Sequence, residues 1–117
     1  MTGAQKTRYY LLIPNVEAEW QAKTEEERDA LFAVHEKFAA LLDERGHTNL
    51  RGYGAALAVP STAVTVRESG ITDGPYTESA EHLAGLYVVE SDDRDDLVEC
   101  CKLLATVESA IEIRSAD

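Results

Sequence analysis

The sequence predicts an α+β fold, and three observations support this prediction. Two long segments place apolar residues at the spacing of amphipathic helices, and short apolar runs between them have the length of strands. The chain of 117 residues is long enough for one core and too short for two domains. We therefore assign residues 1–117 to a single domain in which helices cover one face of an antiparallel sheet.

The first part of the chain predicts one strand and one long helix. Arg8–Ile13 is an aromatic and aliphatic run that we expect to end at Pro14-Asn15. Val16–Lys23 is interpreted as a loop or a short helical turn. The sequence Thr24-Glu25-Glu26-Glu27 has the pattern of a capping box, which predicts that a helix begins there and continues to Gly46.

The middle of the chain predicts extended structure and a hairpin. Asn49–Leu57 contains Gly52 and Gly54, which mark a bulge or a close approach of another backbone, and this stretch is a candidate pocket wall. Ala63–Glu68 alternates as a half-buried strand does. A tight turn at Ser69-Gly70 then predicts a small hairpin.

The second half repeats the strand and helix pattern. Asp73-Gly74-Pro75-Tyr76 predicts a turn. The acidic segment after it is interpreted as a connection that is either irregular or a single helical turn, and Leu86–Glu90 is a predicted strand. Asp92 is the predicted cap of a second amphipathic helix, and Ala110–Arg114 is the predicted last strand. The resulting order is a ferredoxin-like βαββαβ with an added hairpin.

Charge and composition exclude several classes of partner. The chain has 22 acidic and 11 basic residues, a formal net charge of −11, which repels nucleic acid and anionic membrane surfaces. No apolar run is long enough to span a bilayer, and the polar start at Met1–Thr7 favours a cytoplasmic protein. The adjacent Cys100 and Cys101 are interpreted as small buried thiols without a redox role, and no metal site is predicted.

The three histidines differ in their expected surroundings. His35 lies four residues after Leu31 and three before Phe38, so the imidazole is on the core-facing stripe of the first helix. This position fits either a packed histidine or a titratable group facing a pocket. We interpret His47 as a solvated residue after the helix, and His82 as a structural residue in a loop.

The second face of the sheet predicts a homodimer. The strands carry more apolar side chains than a single layer of helices on one face of the sheet would cover. We therefore expect a second copy of the chain to cover the other, open face. The apolar residues assigned to this surplus are Tyr9, Leu11, Tyr53, Leu86 and Val88.

Two segments resemble the signature of a known family. The stretch TDGPYTESAE at residues 72–81, followed by LAGLY at residues 83–87, is similar to the DGPFAETKE and LGGFY segments of the YCII-related proteins of the DGPF type. The resemblance extends from Arg8 to Arg114. Three positions differ from the family pattern: Tyr76 replaces Phe, Ala80 replaces Lys and Ser115 replaces Pro.

The resemblance implies a ferredoxin-like dimeric α/β barrel with a cleft in each protomer. It also implies that His35 and Asp73 form the active-site pair, with Asp73 orienting the imidazole. We predict that an anionic group of a ligand pairs with an arginine and that tyrosines contact the ligand. The residues predicted for ligand binding are Arg67, Arg114, Tyr53 and Tyr76.

Two classes of function follow. The first is an enzyme without a cofactor, in which His35 acts as general acid or base on a small ligand. The second is a non-catalytic module that binds a ligand or a protein, because the resemblance implies a link to extracytoplasmic-function sigma factors and transcription regulation. A haem-binding role for His35, as in other dimeric α/β barrels, is a third interpretation.

Overall fold

The α+β class is confirmed by the computed structural model, which describes residues 6–117. Within these residues the chain forms both strands and α-helices, and every strand pair is antiparallel. The elements are β1 (Thr7–Val16), α1 (Glu17–Ala22), α2 (Glu25–Glu44), β2 (Thr48–Asn49), β3 (Ala55–Ala56), β4 (Val64–Arg67), β5 (Gly70–Asp73), β6 (Glu81–Ser91), α3 (Arg94–Leu104) and β7 (Glu112–Ser115). None of the helices in this part of the chain is long and apolar enough to cross a membrane.

The main sheet has the order β2-β6-β1-β7, and β3 also pairs with β6. The long strands β1 and β6 are therefore central, and the short strands lie at the edges. This arrangement is consistent with a ferredoxin-like fold. The predicted hairpin is confirmed as β4 and β5, which form a separate two-stranded sheet.

Strand β1 continues past the point where the sequence predicted its end. It includes Pro14 and reaches Val16, because the register with β6 shifts between Ile13 and Pro14. Proline cannot donate a hydrogen bond to a ladder, and such irregularities are where sheets accommodate it. The segment after β1, interpreted as a loop or a helical turn, is the six-residue helix α1.

Helix α2 begins as predicted. The Thr24 hydroxyl accepts a hydrogen bond from the Glu27 backbone N–H at 3.1 Å, and the Glu27 carboxylate accepts one from the Thr24 N–H at 2.9 Å. These bonds to Thr24 lower the pKa of Glu27 from its ordinary value. At the other end, Gly46 has a φ of +82°, a conformation that only glycine adopts freely.

The segment around β6 differs from its prediction. Gly74 has a φ of +96°, as expected for the turn, but β6 then begins at Glu81, five residues earlier than predicted. His82 therefore lies in a strand and not in a loop. The cap of α3 is Asp93, whose carboxylate accepts the Asp96 N–H at 3.0 Å, and not Asp92. The last strand is also displaced, to Glu112–Ser115.

The glycine-containing segment after α2 approaches β6 closely. Only two short pieces of it, β2 and β3, pair as strands. A Cβ atom on Gly54 would lie 2.8 Å from the carbonyl oxygen of Leu86, whereas one on Gly52 would meet nothing within 4 Å. The predicted close approach is thus confirmed at Gly54.

The core lies between the central strands and the helices α2 and α3. The buried apolar residues that form it are Tyr9, Leu11, Ile13, Val89, Phe38, Leu42, Leu97, Cys100, Cys101 and Leu104. Tyr9 and Leu11 therefore face the helices, so their assignment to the open face was wrong. That face instead presents the half-buried side chains of Tyr10, Leu12 and Leu86, since side chains alternate along a strand.

The hairpin is much more exposed than its alternating pattern predicted. Val64, Val66 and Ile71 are 59%, 73% and 70% exposed. The prediction of a half-buried strand was therefore wrong, because no helix or second sheet layer of the described chain covers residues 64–73.

His47 is buried, in contrast to its prediction as a solvated residue. Its ring contacts the Ser91 hydroxyl and the Asp96 carboxylate, both at 2.8 Å. Hydrogen bonds from His47 and from Arg45 hold the pKa of Asp96 below its ordinary value. The buried state of both thiols is confirmed, and burial raises the pKa of Cys101 to about 12.

Candidate functional site

A cavity of about 610 Å³ opens at the end of the sheet where β1 meets α1. Helix α2 forms one wall, and the segment from Gly54 to Pro60 forms another. Part of the predicted wall at Asn49–Leu57 lines the cavity, namely Asn49, Arg51 and residues 54–57. A volume of this size is in the range of small-molecule sites. Its larger apolar side chains are Ile13, Val16, Trp20, Leu31, Phe32, Leu57, Val59, Leu86 and Val107.

An aromatic pair forms the apolar end of the cavity. Trp20 and Phe32 pack edge to face with ring centroids 6.0 Å apart. The guanidinium of Arg28 lies over the Trp20 ring, 4.4 Å from its centroid, and donates a hydrogen bond to the Trp20 carbonyl oxygen at 2.8 Å. These contacts fix the indole ring, which is a favourable surface for an apolar ligand.

The polar end of the cavity is organised around His35. Its Nδ1 lies 2.6 Å from the Tyr87 hydroxyl, and its Nε2 lies 2.7 Å from a carboxylate oxygen of Glu108. All three residues line the cavity. The imidazole and phenol rings are stacked with an angle of 16°, and Phe38 supports the phenol from the core.

These contacts determine where the protons lie. An ionised carboxylate only accepts hydrogen bonds, so Nε2 of His35 carries a proton and donates it to Glu108. In the neutral imidazole Nδ1 is then an acceptor, and the Tyr87 O–H donates to it. Burial raises the pKa of Tyr87, as does the nearby charge of Glu108, while Arg51 acts in the opposite direction. Tyr87 is therefore a neutral donor at neutral pH.

Each of the three side chains is positioned by a different element. His35 projects from the inner face of α2, and Tyr87 from the helix-facing side of β6, opposite Leu11 of β1. Glu108 follows α3 in a turn whose N–H groups bond the Leu104 carbonyl oxygen. Helix, sheet and turn thus converge on one imidazole.

The predicted partner of His35 lies elsewhere in the chain. Asp73 is exposed at the end of β5 and is absent from the residues that line the cavity. Both ring nitrogens of His35 already contact Tyr87 and Glu108. Within the described chain the carboxylate in contact with His35 is therefore Glu108, while the pairing of His35 with Asp73 and a catalytic role of Asp73 stay predictions.

The four residues predicted to bind ligand also lie outside this cavity. Arg67 donates to the Thr72 hydroxyl on the hairpin, and Arg114 lies 3.8 Å from Glu112 at the sheet edge. Tyr53 is exposed beneath the guanidinium of Arg8, and Tyr76 is 77% exposed. Their role in ligand binding stays a prediction.

Sequence reasoning missed Tyr87, Glu108 and Arg51. Tyr87 was assigned only to a strand, although strand alternation opposite Leu11 would have placed it on the helix side. Glu108 was assigned to a short link, and no local pattern connects it with a residue 73 positions earlier. Arg51 lines the cavity and contacts Asp43 at 2.8 Å.

Comparison with known proteins agrees with the resemblance in the sequence. A model of the YCII-related domain matches residues 7–115, which is nearly the whole chain. No match was found among curated proteins. The chain therefore belongs to the YCII-related family.

Proposed function

We propose that the protein is a cofactor-independent enzyme that moves a proton within a small ligand. The observation that carries this proposal is the chain of contacts from Tyr87 through His35 to Glu108 at the polar end of an apolar cavity. A base, a carboxylate that orients it and a group facing the ligand space are the parts that acid–base catalysis needs.

The contacts imply a particular proton path. Both nitrogens of His35 are engaged, so Tyr87 is the group that touches the ligand. Its hydroxyl passes its proton to Nδ1 of His35 and takes a proton from an acidic C–H of the ligand. The resulting imidazolium is stabilised by Glu108, and the reverse transfer to another ligand atom completes an isomerisation.

The lining of the cavity favours a ligand with an apolar body and an anionic group. Trp20 and Phe32 supply the apolar contact surface. Arg51 and Lys23 line the same cavity, as do Glu19 and Glu108, and Arg51, which also contacts Asp43, is the group we assign to an anionic part of the ligand. In this proposal Arg51 pairs with the anionic group, and the same role of Arg67 or Arg114 stays a prediction.

A proton-exchange experiment tests this function. The only tryptophan, Trp20, lines the cavity, so its fluorescence reports binding. We would titrate 4-methyl-2-oxopentanoate and related 2-oxo acids, which combine an apolar body, a carboxylate and an acidic C–H. Those that change Trp20 fluorescence are then incubated in D₂O, and proton NMR follows the loss of the C–H signal.

The native protein should exchange the C–H faster than the His35→Gln variant by about 100-fold or more. His82→Gln is the matched control, since it removes a histidine that is not a lining residue of the cavity. Exchange by the native protein at the rate of the His35→Gln variant, with a ligand that binds, would contradict the proposal. Comparing the exchange rates of Glu108→Gln and Asp73→Asn then shows which of the two carboxylates orients His35.

The hairpin favours a second candidate function, an interaction module. Its residues Val64, Val66 and Ile71 are largely exposed, together with Tyr76 in the turn that follows. We propose that a second copy of the chain covers the open face of the sheet. The exposed hairpin would instead bind a regulatory partner in transcription. A Val66→Asp variant would bind this partner more weakly, while proton exchange in the cavity continued.

A further inference from the structure

A second cluster of reactive side chains lies where α2, β6 and α3 meet, in a part of the molecule that the proposed proton transfer does not use. His47 follows the end of α2, Ser91 ends β6, and Asp96 and Cys100 lie on successive turns of α3. His47 and Cys100 are 5% and 1% exposed. The Asp96 side chain is 20% exposed, so the cluster joins two buried donor groups to a carboxylate that solvent can still reach.

The three donor atoms are close enough to share one ion. Nε2 of His47 lies 2.8 Å from Oδ2 of Asp96, and Sγ of Cys100 lies 4.0 Å from the same oxygen. All three lie within 4.8 Å of one another. Ligands of a tetrahedral Zn²⁺ ion are about 3.3–3.8 Å apart, given bonds of about 2.0–2.3 Å. Movements of about 1 Å or less would therefore complete the geometry.

The hydrogen bonds of Ser91 define the state of the His47 ring. The Ser91 hydroxyl accepts the Asp93 N–H at 2.9 Å and donates its single proton to the Asp93 carbonyl oxygen at 3.1 Å. With the Ser91 proton on the Asp93 carbonyl oxygen, Nδ1 of His47, 2.8 Å away, donates to Ser91, and this is the tautomer that leaves the Nε2 lone pair for a metal ion. Nε2 faces a carboxylate oxygen, and this pair needs a cation between them, either a proton or a metal ion.

The thiol of Cys100 favours the metal ion. A neutral thiol contributes little to an imidazolium–carboxylate pair, and its distance of 4.0 Å from Asp96 is at the limit for a hydrogen bond to sulfur. A thiolate, in contrast, is a strong ligand for Zn²⁺ and Co²⁺. The contact of His47 with Ser91 is also the outer-shell bond that metal-binding histidines commonly make.

We propose that His47, Asp96 and Cys100 bind one divalent transition metal ion of the zinc type. Nε2, Oδ2 and Sγ are the three protein ligands, and a water molecule takes the fourth position on the side of Asp96 that is open to solvent. Cys100 releases its proton to solvent on binding, as does any proton on Nε2. Arg45 keeps its contact with the other oxygen, Oδ1, of Asp96.

The donor set and the location define what the ion does. One nitrogen, one sulfur and one oxygen ligand suit Zn²⁺ or Co²⁺, whereas Mg²⁺ and Ca²⁺ require oxygen ligands. The ion would connect the end of α2 with the start of α3 and would leave the cavity at His35 unchanged. The ion would therefore act independently of the proposed proton transfer.

Titration with Co²⁺ tests this site. The full chain is reduced, treated with a chelator and titrated with Co²⁺ alone, which reports thiolate ligation by a charge-transfer absorption band. We expect binding of one ion per chain and displacement of Co²⁺ by Zn²⁺. Cys100→Ser should lose the band, while Cys101→Ser, the matched control from the adjacent buried thiol, should keep it.

The variants His47→Gln and Asp96→Asn should weaken Co²⁺ binding by about tenfold or more. Absence of the charge-transfer band, or its persistence in Cys100→Ser, would overturn the proposal. Unchanged affinity in His47→Gln and Asp96→Asn would do the same. If either of these two variants fails to fold by circular dichroism, the comparison of the two cysteine variants decides alone.

Discussion

Nε2 of His35 lies 2.7 Å from a carboxylate oxygen of Glu108, a residue 73 positions later in the chain. The side chains are only 20% and 12% exposed, so the pair is largely removed from water. This contact fixes the tautomer and the orientation of the imidazole, and with them the direction in which Tyr87 donates its proton.

Glu108→Ala should lower the free energy of unfolding by about 1–2 kcal/mol, because it removes a charge-assisted hydrogen bond from a mostly buried imidazole. Chemical denaturation measures this change. Asp73→Ala is the control, with an expected change of about 0.5 kcal/mol or less at an exposed position. An equal loss in both variants would contradict the assignment of Glu108 as the partner of His35.

In the Tyr87→Phe variant, the tyrosine ionisation at the highest pH should be missing from the titration. The reason is that burial raises the pKa of Tyr87 above the ordinary tyrosine value of about 10. The folded-state pKa is raised, so the neutral phenol stabilises the fold below pH of about 10, and this contribution is lost as the pH rises through the folded-state pKa. Ultraviolet absorption of tyrosinate against pH measures the ionisation. A variant that keeps the highest-pH transition of the native protein would show that another tyrosine is responsible.

Gly54→Ala should lower the free energy of unfolding by about 1–3 kcal/mol, because the new Cβ would lie 2.8 Å from the Leu86 carbonyl oxygen. The contact is with backbone, which cannot move aside as a flexible side chain can. Gly52→Ala is the matched control, since nothing lies within 4 Å of its Cβ position. Thermal denaturation of both variants tests the difference, and similar stabilities would refute the close approach.

Analytical ultracentrifugation should find a dimer at micromolar concentration. The half-buried Leu12 and Leu86 on the open face provide apolar surface for a second copy. Leu12→Lys should shift the population to monomer, because it places a charge in the middle of that face. A native protein that sediments only as a monomer would disprove the dimer.

The sequence located the elements whose signals are local. The capping box predicted the start of α2 because Thr24 and Glu27 satisfy each other's backbone groups within one turn. The turn at Gly74 was equally evident, since glycine adopts a positive φ at low cost. The inward direction of His35 followed from the helical spacing of Leu31 and Phe38.

Predictions that depended on the surroundings of an element were less accurate. Val64 and Val66 alternate as a half-buried strand does, yet they are exposed, because alternation states which side chains share a face and not whether anything covers it. His47 follows a helix end as a solvated histidine does, yet it is buried because α3 and β6 pack around it.

The sequence by itself determined the α+β class, the family and the inward position of His35. Only the tertiary structure decided which residues surround that histidine. Glu108 reaches His35 through a turn after α3, and Tyr87 reaches it from β6. The physical reason is that helical and strand periodicity extend over a few residues, whereas the contacts of a site join residues that packing of the whole core brings together.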